Sequence, residues 1–222
     1  MFPDSNSIGK GARIIANQMD LDRLARDLRA VEQLAVDTEA DSMYHYAEQL
    51  CLIQLSSAAG DVLVDPLAGL DLQALAPVFA DPTRRKILHA CDNDLRILQR
   101  DANLRLRGLF DTRVAARLLG EPDAATSLAA LCQKFLGVKL DKGQQHADWS
   151  RRPLHPKMIA YAAADTCHLA ALAAVLAQRL DALDRSTWAQ QEFDHLEQLT
   201  WQPKPPDPEP FRRIKGAEKL PQ

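Results

Sequence analysis

The sequence predicts an α/β domain with a central mixed β-sheet flanked by helices. Short apolar runs at Gln33–Thr38, Leu50–Ser56 and Val62–Asp65 are locally connected, which marks an antiparallel section of sheet. From residue 60 onward, helical and strand-like segments alternate, as they do where helices cross over a sheet. An Ala- and Leu-rich stretch over residues 156–183 is too long for a strand and reads as one long helix. The 222 residues suit one domain with appendages, and 46% hydrophobic content provides a sizeable core.

Each element has a local reason. Met1–Asn17 is polar and reads as a leader holding a short strand at Arg13–Ile15. Asp20 caps a helix over Leu21–Ala30, with Leu21, Leu24, Ala25 and Leu28 on one side. Ala58–Gly60 is a turn, and Pro66 stops the third strand. A helix runs from Asp71 through Phe79, followed by a strand at Ile87–His89 and a helix from Asp92 to about Arg100. Leu106–Phe110 is a short strand, Thr112–Leu119 a helix ended by Gly120 and Pro122, and Ser127–Phe135 a further helix. Residues 137–155 form a polar loop before Pro156 opens the long helix, and a last helix covers 186–199. Five prolines within Gln202–Pro210 make a linker. The expected organisation is therefore a leader at 1–17, a domain at 18–200 and a proline-rich end at 201–222, with 203–222 mobile or bound to a neighbouring molecule.

Several classes fall away. No run approaches 18 consecutive apolar residues, so no membrane span is expected, and Met1–Ile15 lacks the apolar core of a secretory signal. Cysteines 51, 91, 132 and 167 lie 35 to 41 residues apart, unlike zinc pairs or a disulfide framework, and read as buried thiols in a reducing cytoplasm. Neither a phosphate-binding Gly-rich loop ending in Lys-Ser/Thr nor a dinucleotide glycine fingerprint is present. A net charge of −3 argues against a generic basic coat, yet its distribution is uneven. Residues 20–48 hold eight acids against three arginines, whereas 84–117 and 134–157 carry net charges of +5 and +4. A positive rim near a negative centre suits a metal-dependent enzyme on a polyanion, although such residues are also ordinary solvated helix faces.

Three acidic placements stand out. Leu34-Ala35-Val36 leads out of the core into Asp37 and Glu39, whose i, i+2 spacing puts both carboxylates on one face of a strand. Like charges there repel unless a cation sits between them, or unless the strand end is simply solvated. Tyr161 and Asp165 share the helical stripe of Leu169, Leu172 and Leu176, so an acid joins an apolar face and needs a partner, a salt bridge or a metal. Asp94 falls in the first turn of the helix after His89, where Asp92 is the plainer cap, and Asp111 at another strand end reads mainly as a helix cap. Acids gathered at element ends around one sheet are what a pair of hard divalent cations needs for phosphoryl transfer.

In their order and spacing, Val36-Asp37-Thr38-Glu39, His89–Leu98 with Asp94, and Tyr161-Ala162-Ala163-Ala164-Asp165 resemble the catalytic domain of the ribonuclease D group. That group lies within the 3′–5′ exonucleases marked by four acids and a tyrosine. The resemblance covers roughly residues 15–200 and includes Leu50–Leu55, Val64–Leu67 and Asp148–Pro153. It implies an RNase H-like fold, catalytic Asp37, Glu39, Asp94, Tyr161 and Asp165, and two Mg²⁺ or Mn²⁺ ions held by the four acids. Asp37 would bridge both ions and Tyr161 would orient the attacking water; a free phenol with a pKa near ~10 is a poor base at neutral pH. The implied activity is release of nucleoside 5′-monophosphates from the 3′ end of single-stranded RNA, as in tRNA 3′ processing. Lys142, Gln144, Gln145 and Arg152 on the polar loop would hold phosphates, and His45 and Tyr46, after Glu39, would meet the terminal nucleotide. Asp148 reads as a loop anchor, Trp149 as packing against the helix from Pro156, and His89 as a structural hydrogen-bonder. Ala40 departs from the aromatic residue that many relatives carry, and the helical accessory domain called HRDC, which follows in ribonuclease D, is expected to be missing after Leu220. The alternatives are an exonuclease for very short RNA or for DNA, and a non-catalytic nucleic-acid-binding module.

Overall fold

The computed structural model of the chain describes residues 11–45, 48–141 and 143–203. The strands are β1 Arg13–Ile15, β2 Gln33–Ala40, β3 Leu50–Ser57, β4 Gly60–Val64, β5 Arg85–Leu88 and β6 Leu109–Asp111. The helices are α1 Gln18–Asp27, α2 Ala76–Phe79, α3 Asp92–Ala102, α4 Thr112–Leu118, α5 Leu128–Leu136, α6 Pro156–Cys167, α7 Leu169–Ala182 and α8 Ser186–Glu197. The strands form one sheet in the order β1-β4-β3-β2-β5-β6. β2, β3 and β4 run antiparallel, and only Ala58 and Ala59 separate the last β3–β4 pair, Ser57 and Gly60, as a tight hairpin requires. β5 and β6 add in parallel beside β2 after longer helical connections, and β1 closes the far edge parallel to β4. This mixed sheet with flanking helices is the expected fold class, and it places β2 in the interior of the sheet.

Burial of the apolar faces holds the layers together. Leu34, Ala35, Val36, Ile53, Leu55 and Ile87 on the strands pack with Leu169, Leu172, Leu176 and Leu180 of α7, all nearly inaccessible to water. α6 lies on β3, β4 and β2, and α7 contacts β2, β5, α4, α5 and α8. By composition Pro156–Ala182 is long and apolar enough to cross a membrane, with a mean hydropathy of 1.6. Its buried face, Ala162, Ala163, Leu169, Leu172, Ala173 and Leu176, lies in the core, which accounts for that composition.

Several local expectations change. The long helix breaks at His168, which ends α6 and precedes α7, so one half follows the β3–β4 side of the sheet and the other the β5 side. α1 starts at Gln18, capped by the Asn17 side chain on the Asp20 N–H, so Asp20 lies inside the first turn. The Asp71–Phe79 segment is a 3₁₀ turn, Leu72–Leu75, running into the single turn of α2. Cys91 occupies the cap position of α3 in place of Asp92. Arg13–Ile15 belongs to the sheet, so the domain begins within the expected leader. Residues 1–10 and 204–222, with the proline-rich end, lie outside the described residues.

Candidate active site

Alternation along β2 turns Asp37 and Glu39 to the face that α6 covers. The β2–β3 ladder shifts register between Glu39 and Ala40, a bulge that ends regular pairing beside the acids. On α6, His155 caps the first turn by accepting from the Lys157 N–H at 3.2 Å, and Pro156 takes the first helical position. One turn of helix then separates Tyr161 from Asp165. Ser56 Oγ on β3 lies 2.6 Å from Thr166 Oγ1, which pins α6 to the sheet right after Asp165. As a result Asp37, Glu39 and Asp165 each offer a carboxylate oxygen within 4.8 Å of the others. Asp94, buried in the first turn of α3, stands outside that trio. Thr38 Oγ1 donates to Asp94 Oδ1 at 2.5 Å and ties it to the same strand.

Burial pushes every one of these carboxyls up, and for Asp37 and Glu39 repulsion from the others adds to it. For Asp37, well above the usual carboxylate range, burial is the largest cause, followed by the charges of Asp94, Asp165 and Glu39. Burial and then Asp165 and Asp94 raise Glu39 to about 9. Burial raises Asp165 to about 7, and the neighbouring Tyr161 hydroxyl offsets part of that rise. Burial brings Asp94 to about 6 against the pull of the Thr38 hydroxyl. The Tyr161 phenol is pushed above its ordinary value by burial and by Asp165 and Glu39, so it keeps its proton and acts as a donor.

Among the described residues no lysine, arginine or histidine forms an ion pair with Asp37, Glu39, Asp94 or Asp165. Converging hard oxygens without a counter-charge fit a divalent cation of the Mg²⁺, Mn²⁺ or Ca²⁺ type and no soft metal. Gln54 adds a second sign of a polar centre. It is fully buried, stands opposite Asp37 in the β2–β3 register, and neither its Oε1 nor its Nε2 has a partner among the described residues. A lone glutamine inside the apolar run Leu50–Leu55 was the sequence signal for it; Thr38, on the opposite face of β2 from the acids, gave none.

A cavity of about 400 Å³ opens beside the acids, lined among others by Asp37, His89, Arg113, Gln145, Tyr161 and Asp165. His89 Nδ1 lies 2.9 Å from Thr112 Oγ1, and burial lowers its pKa to about 4, so it is a neutral structural hydrogen-bonder as expected. Asp111 accepts from the N–H groups of Arg113, Val114 and Cys91 and is a helix cap. Trp149 is 1% exposed and packs with Leu154, Met158 and Ala162, its ring centroid 6.1 Å from that of Tyr161. Asp148 accepts from Ser150 and Arg151 and fixes the loop.

The residues expected to hold substrate fare differently. Lys142 and Tyr46 lie outside the described residues. Arg152 is a structural tie instead of a phosphate ligand: its guanidinium pairs with both oxygens of Asp65 at 2.6 and 2.7 Å and donates to the carbonyls of Cys51, Trp149 and Arg151. Gln144 turns its amide to the Gly143 carbonyl, while Gln145 lines the cavity. His45 is exposed and pairs with the buried Asp41 at 2.9 Å, which also accepts from Gln49, so His45 anchors the connection after β2.

The comparisons agree with this geometry. Ribonuclease D of Zymomonas mobilis is 35% identical over 185 residues, covering 82% of this chain and 47% of that protein. The catalytic core of RRP6 from Trypanosoma brucei superposes with a TM-score of 0.86 at 32% identity, over 95% of this chain and 58% of that one. Escherichia coli RNase D, described as an exoribonuclease involved in structured RNA processing, gives 0.79 at 30% identity, over 95% and 56%. The chain spans about half the length of the curated ribonuclease D proteins it matches. The RNase H-like exonuclease fold is thereby established. A family model described as 3′–5′ exonuclease matches residues 12–181, and with that the chain belongs to the divalent-metal-dependent 3′–5′ exonuclease family.

Proposed function

We propose that the chain is a two-metal-dependent 3′–5′ exonuclease that hydrolyses single-stranded RNA to nucleoside 5′-monophosphates. The observation that carries this reading is the meeting of Asp37, Glu39 and Asp165 within 4.8 Å, with Asp94 tied behind them through Thr38. Asp37, Glu39, Asp94 and Asp165 would hold a pair of Mg²⁺ or Mn²⁺ ions, which supply charge stabilisation for the attacking and leaving oxygens of an in-line displacement. Asp37, whose carboxyl meets the charges of Asp94, Asp165 and Glu39, would be a ligand common to the site. Tyr161, protonated and braced by Trp149, orients the attacking water; the water oxygen forms the new bond to phosphorus as the bond to the penultimate 3′-oxygen breaks, and the proton the water loses is balanced by the one that the released 3′-hydroxyl gains. RNA is preferred because the relatives above are ribonuclease D and an RRP6 core. The four free cysteines, none in a disulfide, support a reducing compartment such as the cytoplasm.

The test is a 5′-labelled single strand incubated with Mg²⁺ or Mn²⁺, with a dinucleotide and a DNA strand as competitors. Stepwise shortening from the 3′ end, abolished by Asp37→Ala, is expected. Equal turnover by Asp37→Ala would remove the assigned centre, binding without turnover would make the chain a non-catalytic module, and a dinucleotide or DNA outcompeting RNA would reassign the substrate.

A further inference from the structure

The basic run over 84–117 largely disappears into the structure. Arg84, Arg96, Arg100, Arg107 and Arg117 form ion pairs with Asp81, Asp92, Asp101 and Glu48, Glu197, and Asp123. Lys86 donates to backbone carbonyls, and Arg85 lies over the Phe110 ring. Arg105 is exposed and in no ion pair among the described residues, but it does not line the cleft; Arg113 does. Its side chain is exposed, no acid lies within ion-pair distance among the described residues, and it is the one lysine or arginine among the described residues lining the cavity shared with Asp37, Tyr161 and Asp165.

Its position is fixed from both ends. Asp111 accepts from the Arg113 N–H at 2.8 Å and locks the first turn of α4. Its Nε points to Thr126 Oγ1 at 3.3 Å, and that hydroxyl is itself held at 2.8 Å by the Asp123 carbonyl, with Thr126 1% exposed. The two terminal nitrogens have no partner among the described residues, which leaves the flat end of the guanidinium for a ligand. The cleft otherwise repels a polyanion: Asp37, Asp165, Asp123 and Asp141 line it, and among the described residues only Asp123 is in an ion pair, to Arg117 at 3.0 Å.

We propose that Arg113 is the phosphate grip of this cleft, holding one non-reacting backbone phosphate of the bound strand beside the reacting one. The proposal rests on the exonuclease reading above for the identity of the strand. A guanidinium tethered through Nε keeps Nη1 and Nη2 available for a two-pronged contact, a geometry that lysine cannot reproduce. The contact is pre-organised, so little side-chain freedom is lost on binding.

The test uses the full chain carrying Asp37→Asn, with Ca²⁺ present and a fluorescent single strand followed by anisotropy over a series of salt concentrations. Steady-state shortening by the parent chain runs alongside. Arg113→Ala should weaken binding about tenfold and reduce the slope of log affinity against log salt by about 0.7, the contribution of one phosphate contact on a single strand. KM should rise by a similar factor with kcat little changed. Arg113→Lys should restore the salt slope and only part of the affinity. A strand with a single methylphosphonate at the gripped linkage should bind the parent and Arg113→Ala equally. Unchanged slope and affinity in Arg113→Ala would overturn the proposal, and so would a lower melting temperature with no change of slope, which marks a strut. If the parent chain binds but never shortens the strand, the exonuclease reading fails while the salt slope still decides Arg113; if it binds no strand at all, both fall.

Discussion

Lys86 on β5 and Asp37 on β2 sit on neighbouring strands, and both carry charge out of bulk water, yet their surroundings are opposite. Lys86 is 0% exposed, and its ammonium donates to the carbonyls of Asp81 and Arg84 at 2.5 and 2.6 Å, with that of Val78 at 3.5 Å. Burial still lowers it to about 8, but every proton has somewhere to go. Asp37 meets three further carboxylates and, among the described residues, no ion-pair partner. A buried charge answered by its own chain is scaffold, whereas a cluster of like charges left without an answer is a site waiting for a cation. Arg152 with Asp65 belongs to the first kind, although in the sequence it looked like the second.

The sharpest way to break this contrast is to remove one member of each kind. Asp37→Ala should lower kcat by at least about 10³-fold, or about 4 kcal/mol of transition-state stabilisation, while raising the melting temperature of the metal-free protein by relieving repulsion. Lys86→Met should do the reverse. It leaves three carbonyls without their donor, costs about 3 kcal/mol of stability by denaturant unfolding, and leaves kcat per folded molecule unchanged. If both variants lose activity and stability together, the two clusters are not different in kind.

pH separates them next. Glu39, raised from 4.5 to about 9, and Asp165, raised from 3.8 to about 7, contribute stability that is fully present below their unfolded values. That contribution is lost as pH climbs through the folded values, since the charged forms are the ones disfavoured. The metal-free protein should therefore weaken at this site between about pH 4 and 9. Added Mg²⁺ or Mn²⁺ should raise the melting temperature more at pH 8.5 than at pH 5.5, and Glu39→Gln should flatten that difference.

Two smaller effects sharpen the assignment. Thr38→Val removes the hydroxyl that holds Asp94 and keeps its carboxyl from rising further; kcat should fall about tenfold to a hundredfold, with the metal requirement shifted to higher concentration. Arg152→Ala should cost about 2 kcal/mol of stability through the lost two-pronged bond to Asp65, with KM for a single strand hardly moved. A large KM change with intact stability would return Arg152 to the phosphate-binding role.

The sequence was most informative where a residue type contradicts its own neighbourhood. Asp37 and Glu39 at the end of an apolar strand, and Asp165 on an apolar helical stripe, announced themselves because an acid there needs an explanation. The Asp111 cap was readable for the same local reason, whereas Asn17 and Cys91 take the cap positions expected of Asp20 and Asp92. Partners far along the chain were not. Arg152 finds Asp65 87 residues away, and Arg113 owes its distinction to the cavity that α4 turns it toward beside Asp37 and Asp165. The break at His168 carries no proline or glycine to mark it, because the sheet on which the two helices pack imposes it.

Asp37, Glu39, Asp94 and Asp165 are arranged to hold a pair of hard cations. Crystals soaked in Mn²⁺ with a nucleoside 5′-monophosphate and measured by anomalous diffraction address this directly. Two manganese peaks about 3.5–4 Å apart, both touching Asp37, are predicted. Anomalous density that is absent from this cleft, or a single peak beyond the reach of Asp37, would contradict the account.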